Sequence, residues 1–232
     1  MKKNSTFMLV FVFAALVVGC GNKTHPVKVH VDPDLDSGAI ERIAVFPFSS
    51  SVHDSDDPDE MAPKTMDRLF RKELDARGDY KFISPSSVEY ALRGAGLDQE
   101  AKQFIDTWRR KKEVDENFIR RAAEALEADA VIVGVVDLWQ KDEVDYRETS
   151  TPATYVGATI TLFRLEDGKM LFEAADEDFL EGATSEAGDR GAMISGSGAV
   201  QSDRASNMYK APEFEEVAVK VARALALSIP RR

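Results

Sequence analysis

The sequence predicts a single-domain α/β sandwich in which helices flank a mixed β-sheet and an amphipathic helix ends the chain. Three patterns indicate this fold. The uninterrupted apolar run at 130–136 is typical of a central strand that helices cover on both faces. Residues 156–163 alternate with a period of two, as in a half-buried antiparallel strand. Residues 214–225 repeat apolar side chains at helical spacing, which predicts the terminal helix.

Residues 1–19 predict a signal peptide. Lys2 and Lys3 give the chain a positive start, and an apolar run follows at 7–18. A helix over that run is about 18 Å long, well short of the roughly 30 Å hydrocarbon layer of a bilayer. The segment therefore fits an export signal better than a transmembrane anchor.

Cys20 is the only cysteine of the chain and directly follows Val17, Val18 and Gly19. This pattern resembles the lipobox of bacterial lipoproteins, whose cysteine is acylated with fatty acids such as palmitate and becomes the new N-terminus. The alternative is an ordinary signal peptide and an unmodified thiol, which would leave an exported protein with one unpaired cysteine. We expect lipidation at Cys20, which anchors a protein to a membrane without spanning it.

Residue 21 is Gly, not Asp. Under the sorting rule of Gram-negative lipoproteins, this residue favours the periplasmic face of the outer membrane. In a host with a single membrane, the same anchor would place the domain on the outer face of that membrane.

Residues 20–40 predict a lipidated flexible tether, since turn-forming and polar residues dominate them. The stretch 21–39 could extend about 60 Å. Asp32, Asp34 and Asp36 alternate in a way that also suggests calcium. The EF-hand pattern requires Gly and Glu where Ser37 and Ile43 stand, so we favour a solvated linker.

The folded domain is predicted at 41–230. Its first half reads as a strand at 41–48, a helix between Pro63 and Gly78, a strand at 80–83, a helix after Ser84, and two more helices before the strand at 129–136. We expect Asp98 to cap the helix that follows the one after Ser84. Pro and Gly at the helix ends support these boundaries.

The second half contains a strand pair and a long loop. Residues 166–169 are a hairpin signal because Gly168 accepts the positive φ of such turns, and the returning strand is predicted at 170–175. Residues 182–212 are rich in Gly, Ser and Ala without periodicity, which predicts a flexible loop.

A basic cluster ends the helix predicted after residue 98, at Arg109, Arg110, Lys111 and Lys112. Cations near a helix C-terminus interact favourably with the helix dipole, so a solvated helix end is the simpler interpretation. Contact with an anionic lipid headgroup or glycan, with Trp108 at the interface, is the alternative. The acidic residues directly after the cluster favour the first interpretation.

The sequence contains few residues that would be expected to form an enzyme active site. The three histidines, His25, His30 and His53, fall in the tether or in the acidic loop at 49–60, where a metal site is less expected than solvated charge. The stretch Ser195–Gly198 matches a nucleophile elbow only loosely. We therefore expect no catalytic residue, no metal and no cofactor.

With 30 Lys and Arg against 41 Asp and Glu, the net charge of −11 argues against nucleic acid as a partner.

Taken in order, the lipobox, the tether and the segments RIAVFPF, YKFISPSSVEYAL, ADAVIVGVV and LEDGKMLFEA resemble the CsgG-like family of bacterial outer-membrane lipoproteins, which includes TolB N-terminal-domain-like, PelC-like and LpoB-like proteins. The resemblance covers roughly residues 42–228 and implies a compact α/β sandwich that faces the periplasm and forms rings or docks to a partner. The long membrane-inserting hairpins of the curli channel are not visible in this sequence, so a PelC-like or LpoB-like protein fits better than a pore.

Three functions follow from these observations. The first is a structural or assembly component of an envelope export apparatus, with envelope proteins and further copies of itself as partners. The second is an adaptor that activates a cell-wall synthesis enzyme. The third is an envelope hydrolase or carbohydrate-binding domain, which a pocket with converging carboxylates would favour.

Overall fold

The computed structural model describes residues 26–53, 55–143, 151–182 and 210–232. These residues form a mixed seven-stranded sheet with helices on both faces and a helix at the C-terminus, so the predicted fold class is confirmed. Cys20, His25, Ser195–Gly198 and most of the loop predicted at 182–212 lie outside the described residues.

The elements in chain order are β1 (Lys28–Val31), β2 (Arg42–Val45), β3 (Ser49–Ser50), α1 (Met61–Asp75), β4 (Lys81–Ile83), α2 (Pro85–Gly94), α3 (Asp98–Lys111), α4 (Glu116–Leu126), β5 (Ala130–Asp142), β6 (Ala153–Arg164), β7 (Met170–Glu181) and α5 (Phe214–Ser228). The strand order is β1-β7-β6-β5-β2-β4, and β3 pairs with β5. Strand β2 runs parallel to β4 and β5, whereas β5, β6, β7 and β1 are successively antiparallel.

Strand β1 corrects the tether prediction. Residues 28–31 fall within the segment 20–40 that the sequence assigns to a flexible tether, but they pair with β7 from Lys28 opposite Ala175 to Val31 opposite Phe172. All four β1 residues are exposed. The sequence of β1 does alternate polar and apolar residues, but four residues among turn formers are too short a pattern to identify a strand.

Helices α1 and α5 cover one side of the sheet, which we call the first face, and α2, α3 and α4 cover the second face. The first-face core joins Ile43, Ile132 and Phe172 of the sheet to apolar residues of α1 and α5. The second-face core joins Val131 and Phe163 to α2, α3 and α4. Because β5 contributes to both cores, its first half is apolar at every position, as the run at 130–136 predicted.

Two glycines are required by their surroundings. Gly168 has φ +72° in the turn between β6 and β7, which is the left-handed conformation that the hairpin signal predicted. Gly134 lies in β5 directly against the ring of Phe48, where an added Cβ would come within 2.5 Å of a ring carbon. The Phe48 ring therefore occupies the space that a side chain at position 134 would need.

The start of α3 differs from the prediction. Asp98 lies inside the helix, and the residue at the cap position is Leu97. The end of α2 explains this, because Gly96 takes φ +74° and the Leu97 N–H donates to the Leu92 carbonyl at 2.8 Å. This hydrogen bond ties Leu97 to the end of α2, and α3 begins directly after it without a side-chain cap.

The C-terminal helix is fixed at its end by Arg77. Its guanidinium donates to the carbonyls of Ala226 at 2.5 Å and Ile229 at 3.0 Å, and pairs with Asp79 at 2.5 Å. The Arg77 side chain is only 11% exposed.

Among the described residues, no helix is both long enough and apolar enough to cross a bilayer.

Candidate functional site

The acidic and histidine residues singled out in the sequence do not converge. Asp32 and Asp34 both pair with Lys169, at 3.0 and 2.5 Å. His53 Nδ1 contacts the Ser55 hydroxyl at 3.0 Å, and His30 lies in the exposed strand β1. In the described part of the chain, no three His, Cys, Asp or Glu side chains are grouped so that they could hold a metal ion.

The basic cluster at the end of α3 makes contacts within the fold. The Arg109 guanidinium donates to the Ser50 carbonyl and pairs with Asp106 at 3.0 Å. The Lys112 ammonium lies 4.8 Å from the Trp108 ring centre, and that ring is buried. The alternative that placed Trp108 at a lipid or glycan interface is therefore wrong, because the indole packs against Phe163 in the second-face core.

The chain topology creates a crevice between β2 and β4. These neighbouring parallel strands end at the same edge of the sheet. The chain after β2 leads to α1 on the first face, and the chain after β4 leads to α2 on the second face. Where connections from adjacent parallel strands diverge to opposite faces, a crevice opens beyond the carboxyl ends of the strands.

Two adjoining cavities occupy this crevice, and we call them together the groove. One of about 360 Å³ lies beside β4 and is lined by Val45, Leu74 and Phe82. The other, of about 420 Å³, lies beyond Pro47 along α1. Arg71 and Pro85 line both. The lining beside the sheet edge is mixed, because Asp75, Ser84 and Ser87 also contribute to it, and charged residues dominate the lining along α1.

Helix α1 supplies the positive charges of the groove. Lys64, Arg68 and Arg71 recur at helical spacing on the lining wall. Each has a partner already, since Arg68 pairs with Glu215 at 2.9 Å and Arg71 with Asp75 at 3.7 Å, while the Lys64 ammonium donates to the Asp59 carbonyl at 3.3 Å. The basic wall is therefore largely balanced by neighbouring oxygens.

Asp67 is the most perturbed titratable group of the groove. Burial raises the pKa of its carboxyl from the ordinary value of 3.8 to about 7, and the negative charge of Glu89 acts in the same direction. The Phe48 N–H donates to Asp67 Oδ1 at 2.8 Å and opposes the rise. This carboxyl therefore exchanges its proton near neutral pH. Sequence reasoning missed it, although Asp67 lies three residues before Phe70 and seven before Leu74, a helical spacing that places it beside the buried stripe of α1.

The hydroxyl groups of the groove bond to one another. Ser84 Oγ lies 3.1 Å from Ser86 Oγ and 2.9 Å from Ser87 Oγ, and it accepts the Ser87 N–H at the start of α2. Ser84 thereby caps the helix. The groove combines an apolar floor, balanced charge and a sheet edge, which suits contact with a protein segment.

A second surface lies where the long antiparallel strands extend past the helices. The second-face core reaches only to Val133 in β5 and Phe163 in β6. Beyond it, Tyr155 and Phe179 stack at 5.7 Å between ring centres and are half-buried. We call the end of the sheet where Asp142, Ala153 and Glu181 lie side by side the upper end.

Comparison with solved structures finds likenesses of fold at low identity. Lipoprotein GNA1162 from Neisseria meningitidis is 18% identical over 65% of this chain and 90% of its own, with a TM-score of 0.46. The PelC dodecamer from Paraburkholderia phytofirmans is 14% identical over 86% and 96%, with a TM-score of 0.40. The LpoB C-terminal domain from Escherichia coli is 12% identical over 60% and 82%, with a TM-score of 0.34. No protein-family model and no curated protein sequence matches the chain.

Proposed function

We propose that this protein is a lipoprotein anchored through Cys20 to the periplasmic face of the outer membrane, where it is a non-enzymatic structural component of an export or secretion apparatus. Its partners are envelope proteins and further copies of itself. The observation that carries this proposal is the short distance, in residues, between the predicted anchor and the first strand of the sheet.

The linker between anchor and sheet is residues 21–27. Eight residue steps separate Cys20 from Lys28, so the linker spans at most about 28 Å when fully extended. The tether predicted from sequence would have spanned about 60 Å. Half of that reach is removed because β1 belongs to the sheet.

The direction in which the linker leaves the sheet also supports a position of the domain close to the membrane. Strand β1 is antiparallel to β7, and Lys28 lies opposite Ala175. The chain before Lys28 therefore points towards the Glu181 end of β7, which is the upper end. Ala175 and Glu181 are about 20 Å apart along β7 at the usual rise of a strand. An acylated Cys20 would hold the upper end close to the bilayer surface.

Closeness to the bilayer favours a membrane-bound apparatus over the alternative of an adaptor for a cell-wall enzyme. An adaptor on an outer membrane must cross the periplasmic space to reach a synthase, and about 28 Å of linker gives little reach. A component of an export apparatus in the same membrane needs no such reach.

The first test is the anchor. The mature protein purified from envelopes should begin at Cys20 and carry fatty acyl chains by mass spectrometry. The Cys20→Ser variant should leave the membrane fraction and unfold at the same urea concentration as the native domain, since Cys20 precedes every described element. Gly21→Asp, the matched control, should keep the acyl chains and move to the inner membrane. An unmodified thiol at Cys20 would refute the anchor.

The second test separates the two functions. Deletion of the gene should leave an exported product, polysaccharide or protein, inside the cell, and peptidoglycan cross-linking should remain normal. Normal export combined with altered cross-linking would refute the export function and favour the adaptor.

A further inference from the structure

Strand β1 has backbone groups that point away from the sheet. It forms one edge of the sheet in the described residues. The Asp32 N–H donates to the Leu171 carbonyl of β7 at 2.9 Å. Alternate residues of a strand direct their N–H and C=O groups to the same side, so those of His30 also point to β7. The groups of Val29 and Val31 therefore point outwards, where they can pair with another strand.

The same two residues carry exposed apolar side chains. Val29 is 48% exposed and Val31 is 47% exposed. They lie opposite Ala174 and Phe172 of β7, which belong to the first-face core, and directly paired residues share a face. Val29 and Val31 therefore project on the first face, at the margin of its core.

The second face of this edge carries charges of both signs. Lys28 and His30 alternate with the valines, so they project on the second face, and Asp32 continues the alternation directly after the strand. Lys169 pairs with both Asp32 and Asp34, at 3.0 and 2.5 Å. One cation cannot balance two carboxylates, so a negative charge remains at the Asp32 end of the edge. Lys28 supplies a positive charge at the other end.

We propose that two copies of the chain pair through β1, antiparallel, about a two-fold axis that is perpendicular to the sheet and passes beside His30. Val29 of each copy then lies opposite Val31 of the other copy, and the outward N–H and C=O groups of these residues bond to each other. The two sheets become one continuous sheet, with four valines side by side on its first face. Such a contact uses the same surface on both copies, so it closes at two.

The sequence around β1 favours this register over its two neighbours. A shift in one direction places Lys28 of each copy opposite His30 of the other, which brings no negative charge to either. A shift in the other direction places Val29 opposite Pro33, which has no N–H to donate. In the proposed register Lys28 lies opposite Asp32, so opposite charges meet on the second face.

This inference rests on the proposed function, which gives the protein a membrane anchor and makes further copies its partners. Stable interfaces bury roughly 1,200–2,000 Å², and the pairing of two four-residue strands buries less. The dimer is therefore weak in solution, and anchorage in one bilayer strengthens it by raising the local concentration. Each linker begins two residues from the axis and spans up to about 28 Å. Both anchors therefore reach a bilayer that lies across the axis, and both upper ends then lie along its surface.

A cysteine at the axis tests the pairing in the acylated full chain. Cys20 is the only native cysteine, and acylation consumes its thiol. The two copies of residue 30 face each other at a position without mutual hydrogen bonds, where Cα atoms are about 4.5 Å apart and a disulfide can form. The His30→Cys variant, oxidised in intact envelopes, should therefore run as a dimer on a non-reducing gel.

Two further cysteines are the controls for this result. Val29→Cys should stay monomeric, because the two copies of residue 29 are diagonal neighbours about 7–8 Å apart, too far for a disulfide. His53→Cys should also stay monomeric, since it replaces another exposed histidine far from the axis.

Charge at the same strand gives a second measurement. Val29→Asp should lower the yield of the His30→Cys dimer by about tenfold or more, because it places a carboxylate among the valines. The matched control is Leu227→Asp, since Leu227 is also an exposed apolar residue, at 64%, and this variant should leave the yield unchanged. Lys28→Glu should lower the yield because it faces Asp32 of the other copy, whereas Lys28→Arg should preserve it.

Two results would overturn the dimer. The first is the absence of a His30→Cys dimer from acylated protein. The second is a dimer of equal yield from Val29→Cys or Val31→Cys alone, which would indicate another register. Failure of the anchor gives a different result, since an unmodified Cys20 would be seen by mass spectrometry. In that case His30→Cys in a Cys20→Ser background, at high protein concentration, still tests the pairing in solution.

Discussion

Replacing Asp67 with Asn should remove a large part of the pH dependence of stability. The pKa of this carboxyl is about 7 in the folded protein and near 3.8 when the chain is unfolded. Because the folded state binds the proton more tightly, the stabilisation is complete below about pH 3.8 and is lost as the pH rises towards about 7. A difference of about 3 pH units corresponds to ~4 kcal/mol, and the partial solvent contact of Asp67 lowers our expectation to ~2–4 kcal/mol.

Asn is neutral at every pH and keeps an oxygen that can accept the Phe48 N–H. We therefore expect Asp67→Asn to be more stable than the native domain by ~2–4 kcal/mol at pH 8, and the difference to shrink towards pH 4. Urea unfolding at half-unit steps from pH 4 to 8, on the domain from residue 21 onward, measures that difference. Other titrating groups cancel in the comparison.

The control is Glu89→Gln, which removes a charge that contributes to the raised pKa of Asp67 but leaves its burial intact. It should keep most of the pH dependence of the native domain. A stability difference between Asp67→Asn and the native domain that stays constant from pH 4 to 8 would refute the assignment of a buried, late-titrating carboxyl.

Two further predictions concern the core and the last helix. Gly134→Ala should destabilise the domain by ~1–3 kcal/mol because its Cβ would overlap the Phe48 ring. Gly94→Ala, whose Cβ would meet nothing within 4 Å, should instead raise stability by about 0.5–1 kcal/mol. Equal effects of the two variants on the free energy of unfolding in urea would contradict this prediction. Arg77→Gln should cost ~2–4 kcal/mol because the half-buried Asp79 loses its partner and the carbonyls at the end of α5 lose their donor. Faster hydrogen exchange at the end of α5 would accompany this loss, and unchanged exchange there would count against the contact.

The sequence predicted the elements that are buried on one or both faces. Strand β5 was recognisable because both of its faces are covered, and every residue from 130 to 136 is buried. Helix α4 was recognisable by the spacing of Phe118, Ile119 and Ala122. In both, burial imposes a period on the sequence, so the pattern reports the environment directly.

The features that the sequence did not predict depend on contacts between distant segments. Strand β1 alternates polar and apolar residues over only four positions, and its pairing with β7, more than 140 residues later, cannot be inferred from so short a pattern. The raised pKa of Asp67 depends on its burial in the fold and on the charge of Glu89 from another helix. The groove depends on β2 and β4 sending their connections to opposite faces, which is a property of the strand order.

The division of the sheet explains why fold was easier to predict than function. The parallel part around β2, β4 and the start of β5 lies between two layers of helices and carries most of the apolar pattern. The antiparallel extension towards the upper end has α5 on one face, while its other face bears the half-buried pair Tyr155 and Phe179. Surfaces that meet a partner must stay accessible until the partner binds, so they cannot show the burial pattern of a core. The edge strands β1 and β4 are short and have one neighbouring strand each in the described residues, so little of their pattern comes from burial.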